Sequence, residues 1–162
     1  MTDVDTSDRD AAGGRPTPGP VVVGVDGSAN SRRALNVAAE LARNSGAELI
    51  AVHSLGLMAV LDGEHVPASE HREEIAEALR SRWCSVLEAA DVTWSCRLVD
   101  GNPAESLLTT ATAEGASYVV VGSRGVGGHP DLMLGSTSHQ VIQHTGCPAV
   151  VVPPVGRRVA AY

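Results

Sequence analysis

The segment VVVGSRGVGGHPDLMLGSTSHQ, residues 119–140, begins as three consecutive valines and breaks at Gly122 into a glycine-rich loop. It resumes at Gly135-Ser136-Thr137 as a second regular stretch. An unbroken β-branched run is a strand buried on both faces, because a strand with one wet face would alternate apolar and polar residues. Such strands belong to parallel sheets, which require helices on both faces and hence a chain that alternates strand with helix.

The neighbouring sequence alternates in that way. SYVVVG (117–122) is preceded by Gly101-Asn102-Pro103-Ala104-Glu105, a sharp helix start. Asn102 caps it, Pro103 takes the first helical position, and Glu105 stands where a capping-box carboxylate belongs. Ala104, Leu107, Leu108 and Ala111 form that helix's apolar face. Downstream, a helix over roughly 136–145 leads to a last strand, CPAVVV (147–152). Near the start, VVVGVD (21–26) is a strand ending at Asp26-Gly27-Ser28, with Ser28 as N-cap of the next helix. Ala34, Val37, Ala38 and Leu41 give that helix its apolar stripe, and Gly46 is its left-handed cap. ELIAVHS (48–54) is the second strand. A loop containing Gly56, Gly63 and Pro67 follows, then a charged helix from about Ser69 with Ile75, Leu79, Trp83, Val86, Leu87 and Ala90 inward. DVTWSCRLVD (91–100) alternates as a strand nearer a sheet edge. The fold class is therefore α/β: five strands alternating with four helices, joined by right-handed crossovers into an open parallel sheet.

Composition agrees. Phe is absent, with two Trp and two Tyr, so the core is Val, Leu, Ile and Ala. A net charge of −7 disfavours nucleic acid or an anionic membrane as partner, since both repel an acidic surface. Cys84, Cys96 and Cys147 are too few for a disulfide framework and read as reduced thiols of a cytoplasmic protein. Residues 1–19 have almost nothing to bury and are expected to be disordered, with neither signal peptide nor anchor. No run approaches the roughly 20 apolar residues of a spanning helix. Residues 20–153 then form one domain, and 154–162 a tail.

In open parallel sheets, ligands bind beyond the carboxyl ends of the strands, where strand order reverses. Gly24-Val25-Asp26-Gly27-Ser28 and Val121-Gly122-Ser123-Arg124-Gly125 are two such strand ends. Glycine lets backbone approach a ligand closely, and exposed N–H groups ahead of a helix N-terminus form an anion site. Gly135-Ser136-Thr137 supplies that terminus and two hydroxyls, and Arg124 a guanidinium fork suited to phosphate. All twelve basic residues are arginine, which excludes the lysine-bearing phosphate loop and leaves a cradle built from backbone.

Gly122-x2-Gly125-x9-Gly135-Ser136 resembles the nucleotide-binding signature of the ATP-binding universal stress proteins. The resemblance runs from Val21 through Val152 and includes VGVDGS, LIAVHS, VDGNPAE and TGCPAVVV. It implies a Rossmann-like sheet of five parallel strands in the order 3-2-1-4-5, with the site where the first and fourth diverge. It further implies that Asp26, with the Gly24-Val25 backbone, meets base and ribose, and that the Ser54 backbone meets adenine. Val121, Gly122 and Gly125 would line ribose and phosphates, with Arg124 beside them. Gly135, Ser136 and Thr137 would bind phosphate through N–H and hydroxyl groups. The implied ligand is ATP, with Mg²⁺ held through the phosphates. The implied partner is a second copy paired along the last strand, and the implied role a nucleotide-responsive stress or regulatory factor. A slow ATP hydrolase and a cyclic-AMP-binding protein are the alternatives. His129-Pro130-Asp131, within the spacer, departs from relatives and places a carboxylate near the phosphates.

No residue reads as catalytic, and the spacing of His129, Asp131, His139 and His144 matches no metal-ligand pattern. His53, after a buried run, reads as a hydrogen-bonded structural residue, and Trp83 and Trp94 as core.

Overall fold

The computed structural model describes residues 17–125 and 134–156. Its elements in chain order are β1 (Val21–Gly24), α1 (Ala29–Ser45), β2 (Leu49–Leu55), β3 (Met58–Leu61), β4 (Glu64–Pro67) and α2 (Arg72–Ala78). They continue with β5 (Trp94–Asp100), α3 (Pro103–Ala113), β6 (Tyr118–Gly122), α4 (Ser136–His144) and β7 (Ala149–Val152). The main sheet has the order β5-β2-β1-β6-β7, and every pair in it is parallel. Counting only its five strands, this is the order 3-2-1-4-5. The chain steps outward from β1 to β2 and β5, then returns to the other side of β1 with β6, so the crevice opens between β1 and β6.

Helices cover both faces. Val21, Val23, Leu49, Ala51 and Val120 face α1, which presents Ala34, Leu35, Ala38, Ala39 and Ala42 to them. Val22, Ile50, Val52, Val119 and Val121 face α3 and α4 through Ala104, Leu107, Ala111 and Val141. The central strands are buried on both sides, which is why they show no alternation.

The caps form as the residues dictate. Ser28 Oγ accepts from Ser31 N at 3.1 Å, and Gly46 closes α1 at φ 72°. Asn102 Oδ1 accepts from the N–H groups of Ala104 and Glu105 at 2.9 and 3.2 Å. A return bond from the Glu105 carboxylate is not among the hydrogen bonds of the described residues.

Two segments differ from their sequence reading. The connection expected to be a loop is an antiparallel hairpin, β3 with β4, turning at Asp62 and Gly63 with φ 50° and 88°. Positive φ at both central residues is the two-residue turn whose twist suits a hairpin. Arg82 pairs with Asp62 at its tip, and Leu61 and Ala59 pack with Ile75 and Ala78 beneath it. The charged helix starts at Arg72 rather than Ser69, and it does not stay α-helical. It widens into a π turn over Leu79–Trp83 and tightens into a 3₁₀ turn over Ser85–Ala89. The wide turn shifts the phase of the inward stripe, leaving Cys84 fully buried beside Leu79 and Leu87.

Pro20 O accepts from Ser117 N at 2.9 Å, which ties the entry to β1 to the entry to β6. Residues 1–16 of the segment 1–19 expected to be disordered, the His129-Pro130-Asp131 departure and residues 157–162 of the expected tail lie outside the described residues.

Candidate functional site

A cavity of about 450 Å³ lies over the carboxyl ends of the parallel strands, at the point where β1 and β6 part. The end of β1 contributes Gly24, Val25 and Asp26, and β2 contributes Ser54. The end of β6 contributes Val121, Gly122, Arg124 and Gly125, and the start of α4 contributes Gly135, Ser136 and Thr137. Residues far apart in sequence, all selected from strand ends and one helix start, therefore meet around one space. The wall also includes Ser31, Val52, His53, Pro103, Leu107 and Ser138, which the sequence reading did not assign. Val52 and Leu107 are core residues whose far sides face the cavity, and Ser31 and Ser138 sit in the first turns of α1 and α4. Their only sequence signal is adjacency to a motif.

Two glycines are required by closeness of approach. A Cβ on Gly122 would stand 2.8 Å from Asn30 Nδ2 and 3.1 Å from Arg124 O. Asn30 Nδ2 donates to that same carbonyl at 3.0 Å, tying α1 to the loop after β6. A Cβ on Gly125 would stand 2.7 Å from Asp26 Oδ2. Asp26 Oδ1 meanwhile accepts from Ser28 N at 3.0 Å, so the carboxylate is held at the crevice mouth by its own turn.

Gly135 stands at the N-cap position of α4, and among the described residues no side chain takes up its first-turn N–H groups. Those donors and the positive end of the helix dipole make a place for an anion. One detail corrects the sequence reading. Gly135 N–H is itself committed, donating to Ser123 O at 2.6 Å, so in this conformation it serves the loop rather than a ligand. The hydroxyl of Ser138 lies 3.0 Å from both Ser123 O and Gly135 O and locks the same junction. The available donors are then in Ser136 and Thr137. Among the described residues, Arg124 Nε and Ser123 Oγ are buried without a hydrogen-bond partner. A buried guanidinium N–H left unsatisfied carries a desolvation cost that an anionic ligand oxygen would relieve.

On the β2 side, Ser54 Oγ donates to Gly101 O at 2.6 Å and lies 3.2 Å from Ser106 Oγ. Its hydroxyl is thus occupied, and only the Ser54 backbone is left to face a ligand. His53 Nδ1 is 2.6 Å from Val25 O; a carbonyl accepts, so Nδ1 carries the proton and donates. The sequence reading of His53 as a hydrogen-bonded residue agrees with this, and the ring also lines the cavity. Behind it, the Trp83 ring meets the imidazole edge-on, with centroids 4.9 Å apart at 74°. Trp83 also packs on Gly27, where φ is 80° and a Cβ would fall 2.7 Å from the indole. Both Trp83 and Trp94 pack against the core, as expected.

Burial lowers the His53 pKa from 6.5, against the opposing effects of its Val25 hydrogen bond and the Asp26 charge. The unfolded chain, titrating near 6.5, takes up this proton before the folded one. Stability present above pH 6.5 is therefore lost as the pH falls through the folded value. The urea midpoint is expected to drop between pH 7.5 and pH 5, and a His53→Asn chain to show a flatter dependence. An equal slope in the two chains would assign the effect elsewhere.

Burial pushes the Cys84 thiol up to about 12 and the Cys96 thiol upward too, which disfavours the thiolate at both. All three cysteines are free. Among the described residues no cluster of His, Cys, Asp or Glu is arranged to hold a metal, and no helix is long and apolar enough to cross a membrane.

These features define an open, doubly wound α/β domain with a glycine-lined crevice at its switch point and an uncapped helix start inside it. A family model described as the universal stress protein family matches residues 19–153. The universal stress protein YxiE of Bacillus subtilis is 35% identical over 144 residues, covering 82% of this chain and 97% of that protein. The chain belongs to the universal stress protein family. Its fold matches that of an Archaeoglobus fulgidus universal stress protein solved in complex with dAMP, with TM-score 0.64 and 26% identity over 84% of this chain and 98% of the other. A universal stress protein solved in complex with cAMP matches with TM-score 0.63 and 25% identity, covering 84% of this chain and 98% of that one.

Proposed function

We propose that the crevice binds an adenine nucleotide, ATP in the first instance, and that the protein acts as a nucleotide-responsive stress or regulatory factor. The observation that carries this reading is the meeting, in one cavity, of the first turn of α4, whose N–H groups no side chain caps among the described residues, and Arg124, which lines the same wall. Both call for an anion, and the Gly122 and Gly125 backbones leave room for one to come close. The other side of the cavity, formed by Val52, Leu107 and Val121, is apolar and suits a base. The dAMP and cAMP complexes of relatives support an adenylate in this fold.

The residues fit the phosphate end of ATP. Ser136 and Thr137 donate from N–H and hydroxyl, Arg124 supplies charge, and Asp26 stands at the opposite edge for ribose or base. Mg²⁺, when present, would be held by phosphate oxygens and water, since no protein carboxylate cluster is available among the described residues. Binding stabilises the folded state by mass action, and occupancy of the crevice alters the surface offered to partners. In this reading the protein works in the cytoplasm as a dimer paired along β7, whose Ala149, Val150 and Val151 are only partly buried at the sheet edge.

The test is thermal denaturation and titration calorimetry with ATP·Mg²⁺, AMP, cAMP and GTP. ATP is expected to bind and to raise the melting temperature, with GTP without effect. Tighter binding of cAMP than of ATP would make this a cyclic-nucleotide binder, and indifference to every adenylate at millimolar concentration would remove the reading.

A further inference from the structure

In a parallel sheet the N–H and C=O of one residue point to the same neighbouring strand, and successive residues alternate between neighbours. In β2 the even residues face β1: Glu48 O accepts from Val21 N at 2.8 Å, and Val52 O from Val25 N at 2.9 Å. The odd residues face β5, with Leu49 N donating to Thr93 O at 2.9 Å and Leu55 O accepting from Gly101 N at 3.1 Å. Ser54 therefore aims its backbone at β1, and the next rung of the ladder is Ser54 N–H to Val25 O.

That rung is not made. The β1–β2 pairing ends at Gly24 with Val52, and the acceptor Val25 O is taken by His53 Nδ1 at 2.6 Å. The imidazole belongs to the residue just before Ser54, so one residue's side chain replaces the next residue's main chain as donor. Trp83, edge-on against the ring and backed by Gly27, holds it in place. The Ser54 N–H is left pointing into the crevice, while the Ser54 hydroxyl is spent on Gly101 O.

We infer that His53 is a positioning residue for the base end of the crevice: by capping Val25 O it stops the β1–β2 ladder one rung short and frees Ser54 N–H to donate to a ring nitrogen of the base. This deepens, and rests on, the adenine-nucleotide reading. Asp26, one residue beyond Val25, is the charged group the imidazole feels, and the bond to Val25 O survives protonation because Nδ1 keeps its hydrogen.

The experiment compares His53→Asn, whose amide nitrogen mimics Nδ1, with His53→Gln, whose amide reaches toward the Nε2 position and leaves Val25 O uncapped. Amide hydrogen exchange at Ser54 is followed by NMR without nucleotide, and AMP affinity by calorimetry. His53→Gln is expected to slow Ser54 exchange at least about tenfold, as the ladder gains its rung, and to weaken AMP about tenfold or more, some 1.4 kcal/mol. His53→Asn is expected to retain wild-type exchange and affinity within about threefold. His53→Leu should behave as His53→Gln; if it does not fold, the Asn and Gln pair alone decides. Equal Ser54 exchange in the Asn and Gln chains overturns the inference. Slowed exchange in His53→Gln, in a protein that binds no adenylate, upholds the capping by His53 and removes the nucleotide reading instead.

Discussion

A Gly122→Val chain is expected to bind adenylate at least about 100-fold more weakly than the native chain, a loss of some 2.7 kcal/mol, while remaining folded. The first atom added already stands 2.8 Å from Asn30 Nδ2 and 3.1 Å from Arg124 O, closer than carbon contacts allow. Something must shift, and it is the Asn30 amide and with it the Arg124 carbonyl, because β6 itself is clamped by β1 and β7. That shift breaks the Asn30 tie to Arg124 O and disturbs the placing of Arg124 and Gly125 in the crevice wall. The two further methyl carbons occupy space where a ligand must approach the backbone. Overpacking of this kind costs roughly 1–3 kcal/mol in stability. Calorimetric titration with ATP and AMP, alongside a thermal melt, checks both halves. Native-like affinity in a folded Gly122→Val chain would mean that the ligand site lies elsewhere.

Leu35→Ala is expected to do the converse: to destabilise by about 3 kcal/mol, within a range of roughly 2–5, and to leave the crevice geometry alone. Leu35 is fully buried on the face of α1 that meets Val23, Ala51 and Val120. The other buried residues of α1 are Ser31, Ala34, Ala38, Ala39 and Ala42, whose small side chains let the helix lie close to the sheet. The larger apolar residues of α1, Val37 and Leu41, already pack at the partly buried margin of the same cluster, so the space that Leu35 vacates is filled only in part and its cost stays within that range. The melting temperature should fall by roughly 6–12 °C. Urea denaturation measures the loss; a change below about 1 kcal/mol would show that the sheet collapses onto α1 after all. Affinity for adenylate below the transition should match the native chain, which separates this effect from that of Gly122→Val.

The parallel sheet was legible because its strands are buried on both faces and so read as unbroken runs such as Val119-Val120-Val121. The caps at Ser28, Gly46 and Asn102 were legible because each has a local chemical cause. Strand order is a long-range property, and it came from resemblance rather than from any residue. The hairpin was missed because MAVL and EHVP are four residues each, too short for periodicity, although Asp62-Gly63 is a strong turn signal. The break in the helix after Ala78 was invisible because the apolar spacing Ile75, Leu79, Trp83 continues smoothly through it. The π turn ends at Trp83, which packs on Gly27, a residue far away in sequence. The motif residues around the crevice were legible because loops that hold glycine for close approach announce themselves. The commitment of Gly135 N–H to Ser123 O was not, since it depends on how two loop ends meet. His53 shows the limit most clearly: its type and burial suggested a structural histidine, but its effect on the rung beside it appears only when register and side chain are seen together.

The two tryptophans sit at opposite ends of the parallel sheet. Trp94 opens β5 at the amino end, paired with Leu49, whereas Trp83 touches Gly27 and His53 at the carboxyl end, beside the crevice. With no Phe and two Tyr in the chain, ultraviolet emission is dominated by these two indoles. The molecule thereby carries an optical probe with its own reference: Trp83, in contact with the crevice wall through His53, is expected to shift its emission when the crevice is filled, and Trp94, at the far end of the sheet, to change on unfolding.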